Sequence, residues 1–218
     1  MAKLENSLKN MVLSLTAITV IVGALLGYVA SVTDEPIAQA AAAKQQNAIA
    51  AVVPVEGAQA GEAQKVVTAN GEEAVIFPVT KDGQLVGHAV QAVSKNGFGG
   101  KITVMFGFDP EGTILGYNVL DCGGETPGLG AKMPDWFQKG AKGDVIGKNP
   151  KKNNLTVSKD EGEVDAITAA TISSRAFCDA IAQAFGVLPV VEAAAEAQTS
   201  ATKQAAETSE SVNEVAGE

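Results

Sequence analysis

The chain has 218 residues, 46% of them hydrophobic, with a formal net charge of −9 and a pI near 4.7. That length suits one medium-sized domain with appendages, and the acidic balance leaves no basic patch for phosphates, which argues against a nucleic-acid partner. One histidine (His88), one arginine (Arg175) and two cysteines (Cys122, Cys178) exclude a histidine pair, a His-rich metal site and a Cys-ligated cluster.

Residues 1–10 carry Lys3 and Lys9, and residues 11–30, "MVLSLTAITVIVGALLGYVA", contain no charge. A run of that length can span a bilayer core as one helix. Asp34 and Glu35 follow it, so the positive-inside rule places the N-terminus in the cytoplasm and the rest outside. The run is longer than a cleavable signal's apolar region, so it reads as a retained anchor despite the small residues of "IAQA" near Ala40. Residues 31–73 read as a membrane-proximal alanine-rich helix to about Ala51 and then an irregular linker.

The folded domain is expected over 74–190. Residues 74–79 and 85–93 read as strands joined by the turn Lys81-Asp82-Gly83. "KITVMFGFD" and "TILGYNVLD" form a second hairpin around Pro110-Glu111-Gly112. These four strands predict an antiparallel meander, and with the helices around it an α+β fold. "DWFQKGAKG" reads as a short helix and "LTVSKD" as a further strand. The last helix is marked by Ile172, Ala176, Phe177, Ala180, Ile181, Ala184 and Phe185 at helical spacing, ended by Gly186 and Pro189. Residues 191–218, Ala- and Glu-rich, have too little large apolar surface to fold alone and read as a solvated tail.

Two glycine-rich stretches stand out. "NGFGGKI" (96–102) fails as a dinucleotide fingerprint, because a strand follows where a helix is required. "GGETPGLGAKM" (123–133) combines Pro127 with Gly128 and Gly130, which allows a tight reversal where a ligand approaches the main chain closely. Either stretch is equally consistent with a plain structural turn.

The third stretch, "DAITAATISSRA" (165–176), introduces the last helix. Thr168 falls at or just before the N-cap, Ala169 and Ala170 leave the backbone accessible, and Thr171 lies in the first turn. Helix N-termini carry free N–H groups and partial positive charge, so a phosphate there would sit on Thr171, near Ser173 and Ser174. An ordinary threonine cap followed by an amphipathic helix satisfies the same spacing.

In combination these stretches resemble the FMN-binding domains that carry flavin covalently, whose signature is Asp-x-x-(Ser/Thr)-Gly-Ala-Thr-x-(Ser/Thr). Over residues 75–187 the chain looks like the G subunits of Rnf-type electron-transport complexes. The C subunits of sodium-pumping NADH:quinone reductases are the second choice, and an unflavinylated surface-anchored binding module is the alternative from another class. The resemblance implies FMN joined through its phosphate to the Thr171 side-chain oxygen. It places Asp165 and Thr168 in the sequence read by a separate flavin transferase, which uses FAD and a divalent metal. It also implies that Glu125, Thr126, Gly128 and Leu129 line the flavin. The role implied is electron relay in a membrane complex coupling ferredoxin and NAD to ion movement. Gly23 and Gly27, at GxxxG spacing, would offer partner subunits a close-approach face, and an isolated lipid-facing helix with incidental glycines fits the same residues equally well. Two departures stand out. Cys122-Gly123-Gly124 precedes the loop where the family often has His or Lys, and Ala169 stands where the family usually has glycine. If that glycine serves only for smallness, alanine suffices, and that is the expectation.

Overall fold

The computed structural model describes residues 8–68 and 70–188. The chain divides at Gln46/Asn47 into two compact units. The 191–218 tail and Pro189, expected as a helix stop, lie outside the described residues.

The first unit is helical. It holds most of α1 (Leu8–Val52), a helix long and apolar enough to cross a membrane. Leu13, Ile18, Ile21, Leu25 and Leu26 are exposed along it, as a lipid-facing surface requires.

The second unit is built on a six-stranded antiparallel sheet. Its strands are β1 (Gln59–Ala60), β2 (Gln64–Val67), β3 (Glu73–Lys81), β4 (Gln84–Gly97), β5 (Gly100–Phe108) and β6 (Ile114–Asp121). Strands β3 to β6 form the expected meander, while β1 and β2 pair with the outer side of β3. The fold thus reaches further toward the N-terminus than a start at Ala74. The β3–β4 turn is Asp82-Gly83, both at positive φ (52° and 78°), as a two-residue hairpin of matching twist requires. In the β5–β6 turn the Asp109 carboxylate accepts from the N–H groups of Glu111 (3.0 Å) and Thr113 (2.7 Å).

Alternation along the strands separates two apolar layers. Ile76, Val90, Ala92, Ile102, Val104, Phe106 and Phe108 face α3 (Thr171–Gly186). Phe77, Val79, Ala89 and Met105 face the other way, against Ala48, Ile49, Val52 and Val53. Gly107 admits this second layer, since any Cβ there would collide with the Val52 carbonyl. At the heart of the first layer Phe177 stacks on Phe137 (centroids 4.1 Å apart, 7° between planes) and meets Tyr117 edge-on at 5.0 Å. The Tyr117 hydroxyl donates to the carbonyls of Met133 and Pro134 (2.9 Å each), and burial raises its pKa well above the usual range. Ser94, Asn96 and Gln183 all donate to Oδ2 of Asp179 at 2.7–3.1 Å, which fixes α3 along β4.

Three sequence expectations are corrected. "LTVSKD" is not a strand: it makes one isolated parallel bridge, Val157↔Val164, then a 3₁₀ turn, Ser158–Asp160. Glu161, at φ 63°, reverses the chain before an extended segment can develop. "DWFQKGAKG" holds only the end of a one-turn helix, α2 (Met133–Trp136), because the backbone leaves helical geometry at Phe137 (φ −102°, ψ 7°), and Gly140 at φ 79° then turns the chain. Thr168 is not the N-cap of α3; Ala170 occupies that position, with no side-chain cap. A turn closed by Ala170 N–H to the Ile167 carbonyl (2.9 Å) comes first and carries Thr168 away from the helix axis.

Neither cysteine is in a disulfide among the described residues; Cys178 is buried and Cys122 half-buried. Burial pushes the Cys178 thiol up to about 12, so it is not a nucleophile near neutrality.

Candidate functional site

The two glycine-rich stretches fold against each other. Gly97 pairs with Gly100, making Phe98-Gly99 the tip of the β4–β5 hairpin. That tip lies so close to Gly124 that a Cβ on Gly99 would overlap the Gly124 carbonyl, and one on Gly124 would overlap that of Gly99. The glycines are therefore required by close backbone approach, whatever else they do. Pro127 and Gly128 form the middle of a turn closed by Leu129 N–H to the Thr126 carbonyl (3.1 Å), with Gly128 at φ 78°. Proline followed by a positive-φ glycine is the sequence such a turn demands.

Glu125 joins these segments to α3. The residue is 5% exposed. One carboxylate oxygen accepts from Gly99 N–H at 3.2 Å, the other from the Ser173 hydroxyl at 2.6 Å. Gly97 and Gly130 make room for it, since a Cβ on either would press on the carboxylate. Glu125 is thus a buried, doubly bonded acceptor behind the site.

The segment leading into α3 is held from both sides. Trp136 Nε1 donates to the Asp165 carbonyl at 2.9 Å. The Ser174 hydroxyl accepts from Ile167 N–H (2.9 Å) and donates to the Ala170 carbonyl (3.0 Å). Asp165, Thr168 and Ala169 are exposed on the outside of this turn, while Ala170 is buried.

Ala169 sits at φ 61°, third in the Ile167–Ala170 turn. An L-residue there brings Cβ against the carbonyl, at roughly 1–2 kcal/mol. Glycine adopts this conformation without that cost, so backbone conformation as well as smallness favours glycine at this position. Ala169→Gly is expected to stabilise the second unit by about 0.5–1 kcal/mol after the added freedom of the unfolded chain is offset. Thermal unfolding followed by Trp136, the only tryptophan, should show a higher midpoint. A lower one would contradict this account.

Thr171 opens α3 and is half-buried. Among the described residues, the N–H groups of Thr171, Ile172 and Ser173 have no hydrogen-bond partner, and the helix's first bond runs from Ser174 N–H to the Ala170 carbonyl (3.1 Å). The Lys159 ammonium donates to Thr171 Oγ1 at 3.0 Å. Next to it, Asp160 makes a two-pronged pair with Arg175 (2.6 and 2.7 Å), which holds the Asp160 carboxyl below the usual carboxylate range.

A cleft of about 310 Å³ lies beside Thr171. Glu125, Thr126, Leu129, Gly130, Ala169, Thr171 and Ser173 contribute to its wall, with Phe98 and Ile172. Phe98 is 69% exposed, Ile172 49% and Leu129 36%, so the cleft has an apolar rim open to solvent. Of the residues expected at the site, Glu125, Thr126, Leu129, Ala170, Thr171 and Ser173 converge on this cleft. Gly128 shapes the turn beside it, Ser174 is spent on the backbone, and Asp165 and Thr168 face outward. Phe98, Ile172 and Lys159 are not expected at the site from the sequence, and Gly130 is expected only as part of the reversal. An aromatic flanked by glycines at a hairpin tip was the one available signal, for Phe98. Ile172 matched the core-face spacing but turns to the cleft. A larger groove of about 600 Å³ runs on the other side of α3, past Leu155, Arg175 and Ile181.

Comparison with known proteins agrees with this arrangement. Residues 97–186 match the FMN-binding domain family. The chain is similar to the G subunit of the ion-translocating oxidoreductase complex of Vibrio vulnificus, 37% identical over 109 residues, covering 48% of this chain and 50% of the relative. The corresponding Salmonella typhi protein is 35% identical over 113 residues, covering 50% of this chain and 53% of the relative. These alignments span about half the length of those relatives. With the corresponding protein of Yersinia pestis the match extends to 170 residues at 31% identity, covering 73% of this chain and 80% of the relative. The chain belongs to the family of G subunits of ion-translocating oxidoreductase complexes, and its second unit contains an FMN-binding domain.

Proposed function

We propose that the chain is the membrane-anchored electron-relay subunit of an Rnf-type complex that couples ferredoxin:NAD oxidoreduction to ion translocation. FMN is held as a phosphoester of Thr171. The observation that carries this reading is a threonine hydroxyl at the uncapped start of α3, beside both a lysine ammonium and an apolar-rimmed cleft.

The residues fit such a group. The free N–H groups of the first turn and Lys159 suit a phosphate. Phe98, Leu129 and Ile172 suit a flat aromatic ring. Bound FMN accepts and releases electrons singly or in pairs, so the protein needs no acid–base residue of its own. Its tasks are to hold the ring against the rim, keep the anion at the helix start and prevent loss of the carrier. A covalent tether serves the last task, because a domain outside the cytoplasm cannot recapture a diffusing cofactor.

Around this centre the remaining parts take their roles. Asp165 and Thr168, exposed before α3, are available to a flavin transferase. The charge asymmetry about residues 11–30 puts the N-terminus in the cytoplasm and the FMN domain on the outer face of the cytoplasmic membrane. Gly23 and Gly27 offer neighbouring subunits a close contact.

The test is intact mass with peptide mapping of the full chain co-expressed with a flavin transferase. The tryptic peptide 160–175 is expected to gain the mass of FMN less one water. An unmodified peptide in the presence of an active transferase would favour an unflavinylated binding module, with Ala169 as the cause.

A further inference from the structure

The attachment signature contains no cation, although a phosphoester on Thr171 puts negative charge at the start of α3. The structure supplies a cation from a separate segment. Lys159, twelve residues earlier in the chain, reaches Thr171 Oγ1 at 3.0 Å. We propose that Lys159 is the positioning and charge-balancing residue for flavin attachment: its ammonium orients the acceptor hydroxyl and then pairs with the phosphoester formed on it. This rests on Thr171 being the attachment point.

Three observations support it. The first is that the segment carrying Lys159 is pinned. Ser158 N–H donates to the Val164 carbonyl and Asp160 N–H to the Val157 carbonyl, each at 2.8 Å, and Glu161 closes the turn in the left-handed region. The second is that the turn is tied to α3 itself, because Asp160 grips Arg175, one helical turn beyond Thr171. Lys159 is therefore delivered to Thr171 by geometry set on both sides. The third is that the carboxylate beside Lys159 is already taken. Among the described residues the salt bridges are Lys95–Glu72 and Arg175–Asp160, so Lys159 forms no ion pair of its own; it only adds, behind Arg175, to the charge that lowers the Asp160 pKa. A cation whose contact is a neutral hydroxyl is poised for an anion.

The chemistry balances with a flavin adenine dinucleotide as donor. Thr171 Oγ1 bonds to the phosphorus on the riboflavin side. The P–O bond to the adenylate half breaks, and AMP leaves with that electron pair. The hydroxyl proton passes to a base of the transferase. Lys159 occupies one lone pair of Oγ1, which leaves the O–H free to point at that base. As charge builds on the oxygen, the nearby ammonium stabilises it. The product is a diester with one negative charge, which Lys159 and the free N–H groups of α3 then share.

The test uses the full chain in detergent with a flavin transferase, FAD and magnesium. It follows the rate at which the Thr171-containing peptide gains FMN. Lys159→Met is expected to slow labelling roughly tenfold or more, given the worth of a charge-assisted hydrogen bond, with the loss in kcat rather than in KM for the acceptor protein. Lys159→Arg, which keeps the charge, should recover most of the rate. Because Lys159 is exposed, the Trp136 unfolding midpoint should not move in either variant. Equal labelling of wild type and Lys159→Met, or no recovery in Lys159→Arg, overturns the role of Lys159 while leaving Thr171 as the attachment point. A wild-type chain labelled elsewhere, or not at all, overturns the Thr171 reading and this inference with it.

Discussion

Thr171→Ala is expected to abolish covalent flavin completely while leaving the fold in place. The side chain contributes one hydroxyl, and its hydrogen bond is the one accepted from exposed Lys159. Nothing in the apolar core depends on it, since the layer between α3 and the sheet is built from Ala176, Phe177, Ala180, Ile181 and Ala184 further along. Alanine at a helix start with no side-chain cap to lose should change stability by no more than about 0.5 kcal/mol. Denatured protein should then show no flavin fluorescence, and the intact mass should equal the bare chain. Thr171→Ser separates the hydroxyl from the methyl: it keeps the nucleophilic oxygen on a less restricted side chain, so labelling should persist at a reduced rate. Covalent FMN retained by Thr171→Ala would remove the attachment point from α3 altogether.

The meander was legible because its turns announce themselves. Asp82-Gly83 and Pro110-Glu111-Gly112 stand between alternating apolar runs, and each is stabilised by local chemistry that does not depend on the rest of the fold. Strands β1 and β2 were not legible. They have two and four residues, almost all exposed, so they show no alternation and exist only because β3 offers an unpaired edge. "LTVSKD" failed in the opposite sense: Leu155 and Val157 are buried at strand spacing, but no neighbouring strand extends beyond the Val164 bridge.

At the site, motif order located Glu125, Thr126, Leu129 and Thr171, because each lies inside a local sequence signal. Lys159 could not be found that way. Its approach to Thr171 depends on the Asp160–Arg175 pair and on the reversal at Glu161, and neither is local to the signature. Ala169 was legible as a departure from the family but not in its consequence, which needed the sign of φ. The same limit applied to Gly99 and Gly124. Each reads alone as a turn residue, yet the reason for both is one contact between two loops 25 positions apart.

That contact makes Glu125 the residue whose loss should be most costly to the architecture of the site. Three segments bound the cleft: the Phe98-Gly99 tip, the 124–130 turn and the first turn of α3. Among the described residues, only the Glu125 carboxylate bonds to both of the others, through Gly99 N–H and the Ser173 hydroxyl. Glu125→Ala leaves both donors without their acceptor and opens a void between Gly97 and Gly130. The cost should be about 2–4 kcal/mol. Glu125→Gln tests the bonding separately from the volume. The Ser173 hydroxyl can still donate to the amide oxygen, but the amide NH₂ then faces Gly99 N–H, a donor against a donor, at about 1–3 kcal/mol. For a unit of this size, roughly 2–4 °C of unfolding midpoint accompanies each kcal/mol. Trp136 fluorescence should therefore report a drop of roughly 10 °C for the alanine variant and a smaller one for glutamine. Both variants keep Thr171 and Lys159, so any residual label must still map to peptide 160–175. Midpoints within about a degree of wild type for both would mean that the three segments hold together without Glu125. In that case the close backbone approach of Gly99 and Gly124, rather than the carboxylate, would be what sets the shape of the cleft.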